Sequence, residues 1–550
     1  MFKRSLLCLL LMGCLSLFTQ AQLTSYELVD SYSIPELQQL GDNLGISPIL
    51  MDYDYAVDFY VVRYQTPNPQ GQMVTASGAL MVPVGNTCQL PMASYQHGSI
   101  SEKDDVPSRA SGESDVGLLY GTNGFFVAMP DYVGLGDSPG LHPYVHEATE
   151  ASAVIDMIRA SKAVIAELGN PLSDQLFLFG YSQGGHATVA AHKVIQEELS
   201  NELVVTASNP MSGPYDLSGI QANVIIQDEP YPSPSYLPYV ELAYQDIYGT
   251  LYNDPSDVFI SPYDTLLPPL FDGSLGLGEI NAMLPAIPKA ILQDSVVENF
   301  INNPNHPFKV ALEDNDLYDW MPTSPIRLTY CMGDDQISFE NSLLAQTTFV
   351  QNGAMDIEVS DLGDDDHAGC ASPALINGLF YFKGFRTEFN GIDVLSQNIS
   401  GETAIGASDG FIELVVTGGV GGLQFEWSNG FDSPDLPGVP GGTYDLTITD
   451  DAGCSITRRF EVPSPPVGVF EFEKHESLAL FPNPSSQWIA YQLPKGQLLD
   501  QVRIWNVLGQ EQSVQSLQQQ QLDISHLHPG IYWLSGRVGE QWYYGKFMVD

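Results

Sequence analysis

The residues best suited to chemistry in this chain are Gly180-Tyr181-Ser182-Gln183-Gly184. The apolar run Leu176-Phe177-Leu178-Phe179 precedes them, and a small-residue, helix-like pattern follows from Gly185. A serine on a tight turn between a strand and a helix sits in a strained backbone conformation with its hydroxyl exposed, as a nucleophile must. Gly180, Gly184 and Gly185 leave room for that bend. The Gly-x-Ser-x-Gly pattern occurs three times, and context separates the occurrences. At Ser138 the next residue is Pro139, which has no N–H to offer a developing oxyanion. After Ser408 comes Phe411-Ile412-Glu413-Leu414-Val415-Val416, a strand pattern rather than a helix. Ser182 has a strand before it and a helix after it, so it is the expected nucleophile; the competing reading is an ordinary glycine-rich turn.

A serine nucleophile needs a base, and the base needs a group that orients it. In strand-ordered α/β sheets the chain order is serine, acid, histidine. Ile326-Arg327-Leu328-Thr329-Tyr330-Cys331 reads as a buried strand running into Met332-Gly333-Asp334-Asp335-Gln336-Ile337. Asp334 is the expected acid and Asp335 the close alternative. With 10 histidines in the chain, the base is sought by elimination. His526 and His528 fall in a C-terminal module and His475 in a linker. His186 and His192 fall on the helix after Ser182, where His186 suits packing or lid contact. His142, His146 and His306 lie in loop-like segments. His367, between a strand and a helix, remains as the expected general base. The competing reading is an incidental histidine in a solvated acidic loop. Asp364, Asp365 and Asp366 favour an imidazolium there. They could instead hold a cation such as calcium, although their spacing matches no known ligand loop.

Acyl transfer also needs two N–H groups aimed at the oxyanion. The Gln183 amide is one expected donor. The other is assigned to Ser99, after the short strand pattern Leu90-Pro91-Met92-Ala93-Ser94-Tyr95-Gln96 and the pair His97-Gly98. His97 is expected to orient this loop; a plain glycine turn is the alternative. No metal or organic cofactor is required by this chemistry.

These pieces resemble the secretory lipase family of α/β-hydrolases. The shared motifs are Gln96-His97-Gly98; Asp131-Tyr132-Val133-Gly134-Leu135-Gly136 with His142-Pro143-Tyr144; Gly180-Tyr181-Ser182-Gln183-Gly184-Gly185; Tyr318-Asp319-Trp320-Met321-Pro322; Gly333-Asp334-Asp335-Gln336-Ile337; and Asp366-His367. They span most of residues 50–385. The resemblance implies hydrolysis of carboxylic esters by a Ser182, Asp334, His367 triad, with acyl and alcohol groups left open. In such a fold the acid and histidine loops lie side by side, so Cys331 and Cys370 could form a disulfide; two buried thiols are the equal alternative.

The elements that must position these residues form an α/β-hydrolase core over residues 22–388. A helical lid is expected to be inserted at about 215–308, where Pro and Tyr become frequent. Tyr244, Tyr248 and Tyr252 recur at helical spacing, so one helix face is expected to carry all three, either lining an acyl pocket or packing the lid. Residues 389–463 read as a small β-sandwich of short strands and Gly turns, similar to the immunoglobulin-like repeat modules of bacterial surface adhesins. Residues 464–479 read as a linker. Residues 480–550, from Leu480-Phe481-Pro482-Asn483-Pro484 to the chain end, resemble the C-terminal sorting domain of the type IX secretion system, although the final Val549-Asp550 departs from the usual basic ending. The fold class is therefore α/β with a helical lid, followed by two small all-β domains.

Residues 1–21 read as a signal peptide: Lys3 and Arg4, an apolar run to Phe18, then Thr19-Gln20-Ala21. A lipoprotein box at Leu11-Met12-Gly13-Cys14 is the weaker reading. The formal charge of −47 argues against nucleic acid or anionic membranes as partners. No segment after the leader suits a bilayer span, so an integral membrane protein is not expected. The expected partners are an ester substrate and the type IX machinery, and the expected location is secreted or on the cell surface. A serine peptidase on the same fold, and a surface adhesin with a weakly active hydrolase module, are the other readings.

Overall fold

The computed structural model describes residues 23–46, 51–86, 89–386, 392–404, 406–451, 453–464, 476–493, 497–506, 511–513, 515–518, 520–539 and 541–550. The segment read as a signal peptide, Cys88, and residues 465–475 of the expected linker lie outside the described residues.

A nine-stranded sheet carries the part of the chain from Leu23 to Asp361. Its strands are Leu23–Tyr32 (β1), Ala56–Pro67 (β2), Met73–Val84 (β3), Leu90–Gln96 (β4), Phe126–Pro130 (β5), Leu172–Tyr181 (β6), Val205–Met211 (β7), Ile326–Tyr330 (β8) and Ile357–Asp361 (β9). The order is β1-β2-β3-β5-β4-β6-β7-β8-β9. The pairs β1/β2, β2/β3 and β3/β5 are antiparallel, and every later pair is parallel. All seven residues of β4 are buried. Such a strand is apolar at nearly every position because helices cover both faces of a parallel sheet. β6 shows how the faces divide. Leu176 and Leu178 join the core beneath helices Glu147–Glu167 and Gln183–Glu198. Phe177 and Phe179, pointing the other way, join the core beneath Ser114–Thr122 and His367–Lys383.

Between β7 and β8 the chain forms mostly helices, including Tyr236–Tyr248, Tyr263–Leu270, Asp294–Asn302 and Pro307–Glu313. They share a separate apolar core around Tyr244, Phe259, Leu267 and Ile280. The expectation of one tyrosine face is corrected here. The helix stops at Gly249, whose φ of 65° is left-handed, so Tyr252 lies beyond it. The Tyr244 hydroxyl donates to the Val145 carbonyl at 2.8 Å, and Tyr248 accepts from Asn315 Nδ2 at 2.9 Å. Both tyrosines pack the lid and leave the cavity described below to other residues.

Two three-stranded sheets follow, Asp393–Ser400 with Gly410–Thr417 and Leu436–Val439, and Leu423–Trp427 with Gly442–Asp450 and Ser455–Val462. Ile412 and Leu436 of one and Trp427, Leu446 and Ile448 of the other close a single core. Arg458 of the last strand pairs with Asp54, just ahead of β2. The final unit, residues 464–550, has five-stranded and four-stranded sheets around Ile489, Ile504 and Leu534. Its strand Glu476–Ser477 begins ahead of Leu480. Among the described residues no helix is long and apolar enough to cross a membrane.

Candidate active site

Ser182 stands between the end of β6 and helix Gln183–Glu198, with φ 59° and ψ −121°. A non-glycine residue there is strained, and the surroundings must hold it. They do so by close backbone approach. A side chain at Gly185 would meet the Met211 carbonyl oxygen at 2.6 Å, and one at Gly184 would collide with the Gln96 carbonyl. The Ser182 amide donates to the Met211 carbonyl at 2.9 Å, tying the turn to β7. Neither of the other Gly-x-Ser-x-Gly serines opens a helix: Ser138 lies in a loop and Ser408 precedes a strand.

Asp334 follows β8 and is fully buried at its side chain. Its Oδ1 accepts from the Gln336 and Ile337 amides at 3.0 and 2.8 Å, and its Oδ2 faces His367 Nδ1 at 2.8 Å. That bond places the proton on Nδ1 and leaves Nε2 as the free acceptor. Asp335 does something else: its Oδ1 accepts from the His367 backbone N–H at 3.2 Å. The pair left open by the sequence is therefore divided between side chain and backbone of one histidine. His367 opens helix His367–Lys383, and Asp366 caps it by accepting from Gly369 N at 2.8 Å. Of the acidic run Asp364-Asp365-Asp366, the last residue thus serves as a helix cap. Cys331, at the end of β8, is disulfide-bonded to Cys370 of that helix with a Cα–Cα distance of 6.0 Å. The bridge holds the acid-bearing and histidine-bearing segments together.

The loop after β4 brings His97-Gly98-Ser99 to the turn. His97 is wholly buried. Its ring nitrogens face the Gly98 carbonyl at 2.7 Å and the Asp131 carbonyl at 3.3 Å, so it does orient the loop. The Ser99 hydroxyl meets the Tyr144 hydroxyl at 2.7 Å. Among the described residues the backbone amides of Ser99 and Gln183 have no hydrogen-bond partner. The first amide of a helix is left open by geometry, and such a donor can serve an oxyanion.

A buried polar group that the sequence did not disclose supports Gln183. Its Nε2 donates to His142 Nε2 at 2.8 Å and to Glu150 Oε1 at 2.9 Å. His142 Nδ1 faces the Val133 carbonyl at 2.8 Å, which fixes its tautomer. Burial pushes the His142 pKa down to about 4, so the ring is neutral. The other Glu150 oxygen faces His186 Nδ1 at 2.6 Å, and His186 Nε2 faces the Asn315 carbonyl at 2.9 Å. Burial opposes a charge on His186, but the Glu150 carboxylate outweighs it and raises its pKa. With acceptors at both nitrogens, the ring is an imidazolium paired to a carboxylate. His186 thus packs as expected, but as half of an ion pair. Its partners are 36 residues upstream and 129 downstream, so no local pattern could announce them.

The secretory lipase family profile matches residues 116–210, and the secretion system C-terminal sorting domain profile matches residues 479–550. Among solved structures, a candidate hydrolase of Legionella pneumophila is 30% identical, with a TM-score of 0.63 over 66% of this chain and 98% of that one. The rice cell wall degrading esterase LipA of Xanthomonas oryzae is 29% identical, with a TM-score of 0.60 over 66% of this chain and 97% of that one. Candida antarctica lipase A, at 15% identity and a TM-score of 0.50 over 66% of this chain and 81% of that one, shares the fold. No curated protein matches the chain. With the family profile across Ser182 and a 30% identical chain spanned almost end to end, this protein belongs to the secretory lipase family of α/β-hydrolases, and is a hydrolase of the lipase/esterase class.

Proposed function

We propose that the protein is a secreted carboxylic ester hydrolase that works through Ser182, His367 and Asp334. The 2.8 Å bond between His367 Nδ1 and buried Asp334 carries the reading, because it puts the proton on Nδ1 and leaves Nε2 as the acceptor, on a ring that packs 4.9 Å from that of Tyr181, the neighbour of Ser182. His367 Nε2 takes the Ser182 proton as the hydroxyl oxygen attacks the ester carbonyl. The oxyanion is held by the Gln183 and Ser99 amides. As the tetrahedral intermediate collapses, His367 protonates the leaving alcohol, and Ser182 remains acylated. Water then enters, His367 takes its proton, and the acid departs. Asp334 holds the tautomer and stabilises the imidazolium.

The remaining domain assignments belong to the same reading. Residues 1–21 direct export, the sorting domain hands the chain to the type IX machinery, and residues 389–463 act as a spacer module. The test is hydrolysis of p-nitrophenyl esters from acetate to palmitate, beside Ser182→Ala. Activity abolished in the variant supports the reading, and the chain-length profile separates esterase from lipase. Activity that survives Ser182→Ala, or none on any ester, overturns it.

A further inference from the structure

A narrow apolar cavity lies within the lid, walled by Leu217, Val240, Val258, Phe300 and Leu312. Tyr144, Tyr236 and Ile337 also line it, and these residues touch the catalytic loops. Tyr144 bonds Ser99, Tyr236 donates to Gln336 Oε1 at 3.1 Å, and the Ile337 amide donates to Asp334. The cavity therefore adjoins both the oxyanion side and the acid side of the site, where the acyl chain of an ester must leave the carbonyl carbon.

One charged residue type lines this cavity out of keeping with the rest. Glu241 is 3% exposed and has no hydrogen-bond or ionic partner among the described residues. Other polar lining groups have partners within the fold. Gln221 Nε2 donates to the Gln336 carbonyl at 2.9 Å, and His306 Nδ1 accepts from the Phe308 amide at 3.3 Å. Leu237, Val240 and Glu241 share one face of helix Tyr236–Tyr248. Glu241 lies about 6 Å further along that helix than Leu237, taking 1.5 Å per residue.

An unpartnered carboxyl in an apolar cavity is unfavourable unless something pairs with it. Burial alone pushes its pKa up to about 8, so at neutral pH it is an uncharged acid with one donor and spare acceptors. A plain hydrocarbon chain leaves it unpaired. An ammonium group would have to give up its water for one ion-pair contact, with no other acceptor to complete its shell. A hydroxyl both donates and accepts, and matches the acid bond for bond.

We propose that Glu241 makes this cavity a selective pocket for hydroxylated fatty-acyl chains, its carboxyl exchanging paired hydrogen bonds with a hydroxyl carried by the chain. The proposal rests on the ester-hydrolase reading of the same site. It assigns Glu241 to specificity and leaves the chemistry to Ser182 and His367.

The experiment compares kcat/KM of the full-length protein on p-nitrophenyl decanoate and its positional monohydroxy isomers, with p-nitrophenyl acetate as the control that cannot reach the cavity. At least one isomer should be preferred over decanoate by roughly tenfold to a hundredfold. Glu241→Gln, which keeps a donor and an acceptor, should retain most of that preference. Glu241→Leu should abolish it while acetate hydrolysis stays unchanged. Calorimetry of the free hydroxy acids on Ser182→Ala should show the same order. No preference in the natural protein, or a preference that persists in Glu241→Leu, overturns the proposal with the ester reading intact. No hydrolysis of any ester by the natural protein removes the ester reading and the proposal together.

Discussion

The acid loop and the lid each bury a carboxyl group, and they treat it in opposite ways. Asp334 accepts two backbone amides on one oxygen and faces the His367 ring with the other, so both its oxygens are engaged. Glu241 lines an apolar cavity, with the Tyr252 hydroxyl within reach of its charge, and burial raises its pKa to about 8. A fully hydrogen-bonded carboxyl group suits a place where a histidine ring has to be held in one orientation. A neutral acid is useful where a neutral chain must be read. Burial is common to both; the partners around each group decide what it can bind.

The strongest way to break this contrast is to remove the charge of Asp334. Asp334→Asn keeps the shape but favours the wrong His367 tautomer, and kcat should fall by about 10⁴. A p-nitrophenyl acetate assay measures it, and a loss below tenfold would mean that Asp334 is not the orienting acid.

Titrating the lid sharpens the contrast. The Glu241 pKa is raised above its ordinary 4.5, so the folded state holds a proton that the unfolded state has released. Its contribution is fully present below 4.5 and is lost as pH rises toward about 8, by up to about 1.4 kcal/mol per unit. Urea unfolding at pH 5 and pH 7.5 should show Glu241→Leu gaining on the natural protein at the higher pH. An equal difference at both would show that the carboxyl does not titrate as described.

A buried imidazole supplies the mirror case. His192 has its Nδ1 2.9 Å from Ser208 Oγ and lies edge-on to Trp320. Burial pushes its pKa down to about 3, so the unfolded state binds the extra proton. Its contribution is present above 6.5 and is lost as pH falls toward 3. Between pH 6.5 and 4.5 the loss attributable to His192 should be about 2–3 kcal/mol. His192→Gln should lack that part of the acid sensitivity in paired urea titrations.

The smallest effect is expected at Asp335. Among the described residues it holds the His367 backbone amide and not the ring, so Asp335→Asn should lower kcat less than about tenfold. A loss matching that of Asp334→Asn would erase the division of labour between the two aspartates.

Much of the site was legible because its signals are local. The Ser182 turn needs an apolar strand, glycines and a small-residue helix in sequence, and the structure has them there. The candidate acid and base follow strand ends, and they meet at Asp334 and His367. Tyr252 was misplaced because periodicity continues past a residue, Gly249, whose left-handed conformation ends the helix. Glu150 and Glu241 stayed hidden because a single acidic residue in a helix looks the same whether its side chain meets water, an imidazolium or an empty apolar wall.

Residue order and hydrophobic period alone carry the class of fold, the strained serine turn and the chain order of the candidate serine, acid and histidine, since these depend on neighbouring residues. The tertiary structure alone set which aspartate faces the His367 ring, that Cys331 and Cys370 are bonded, that Glu150 pairs with His186 beneath Gln183, and that Glu241 has no hydrogen-bond or ion-pair partner among the described residues. Those outcomes depend on which groups share a buried space. Proton position and hydrogen-bond pairing are set by that shared surrounding and not by the residue type.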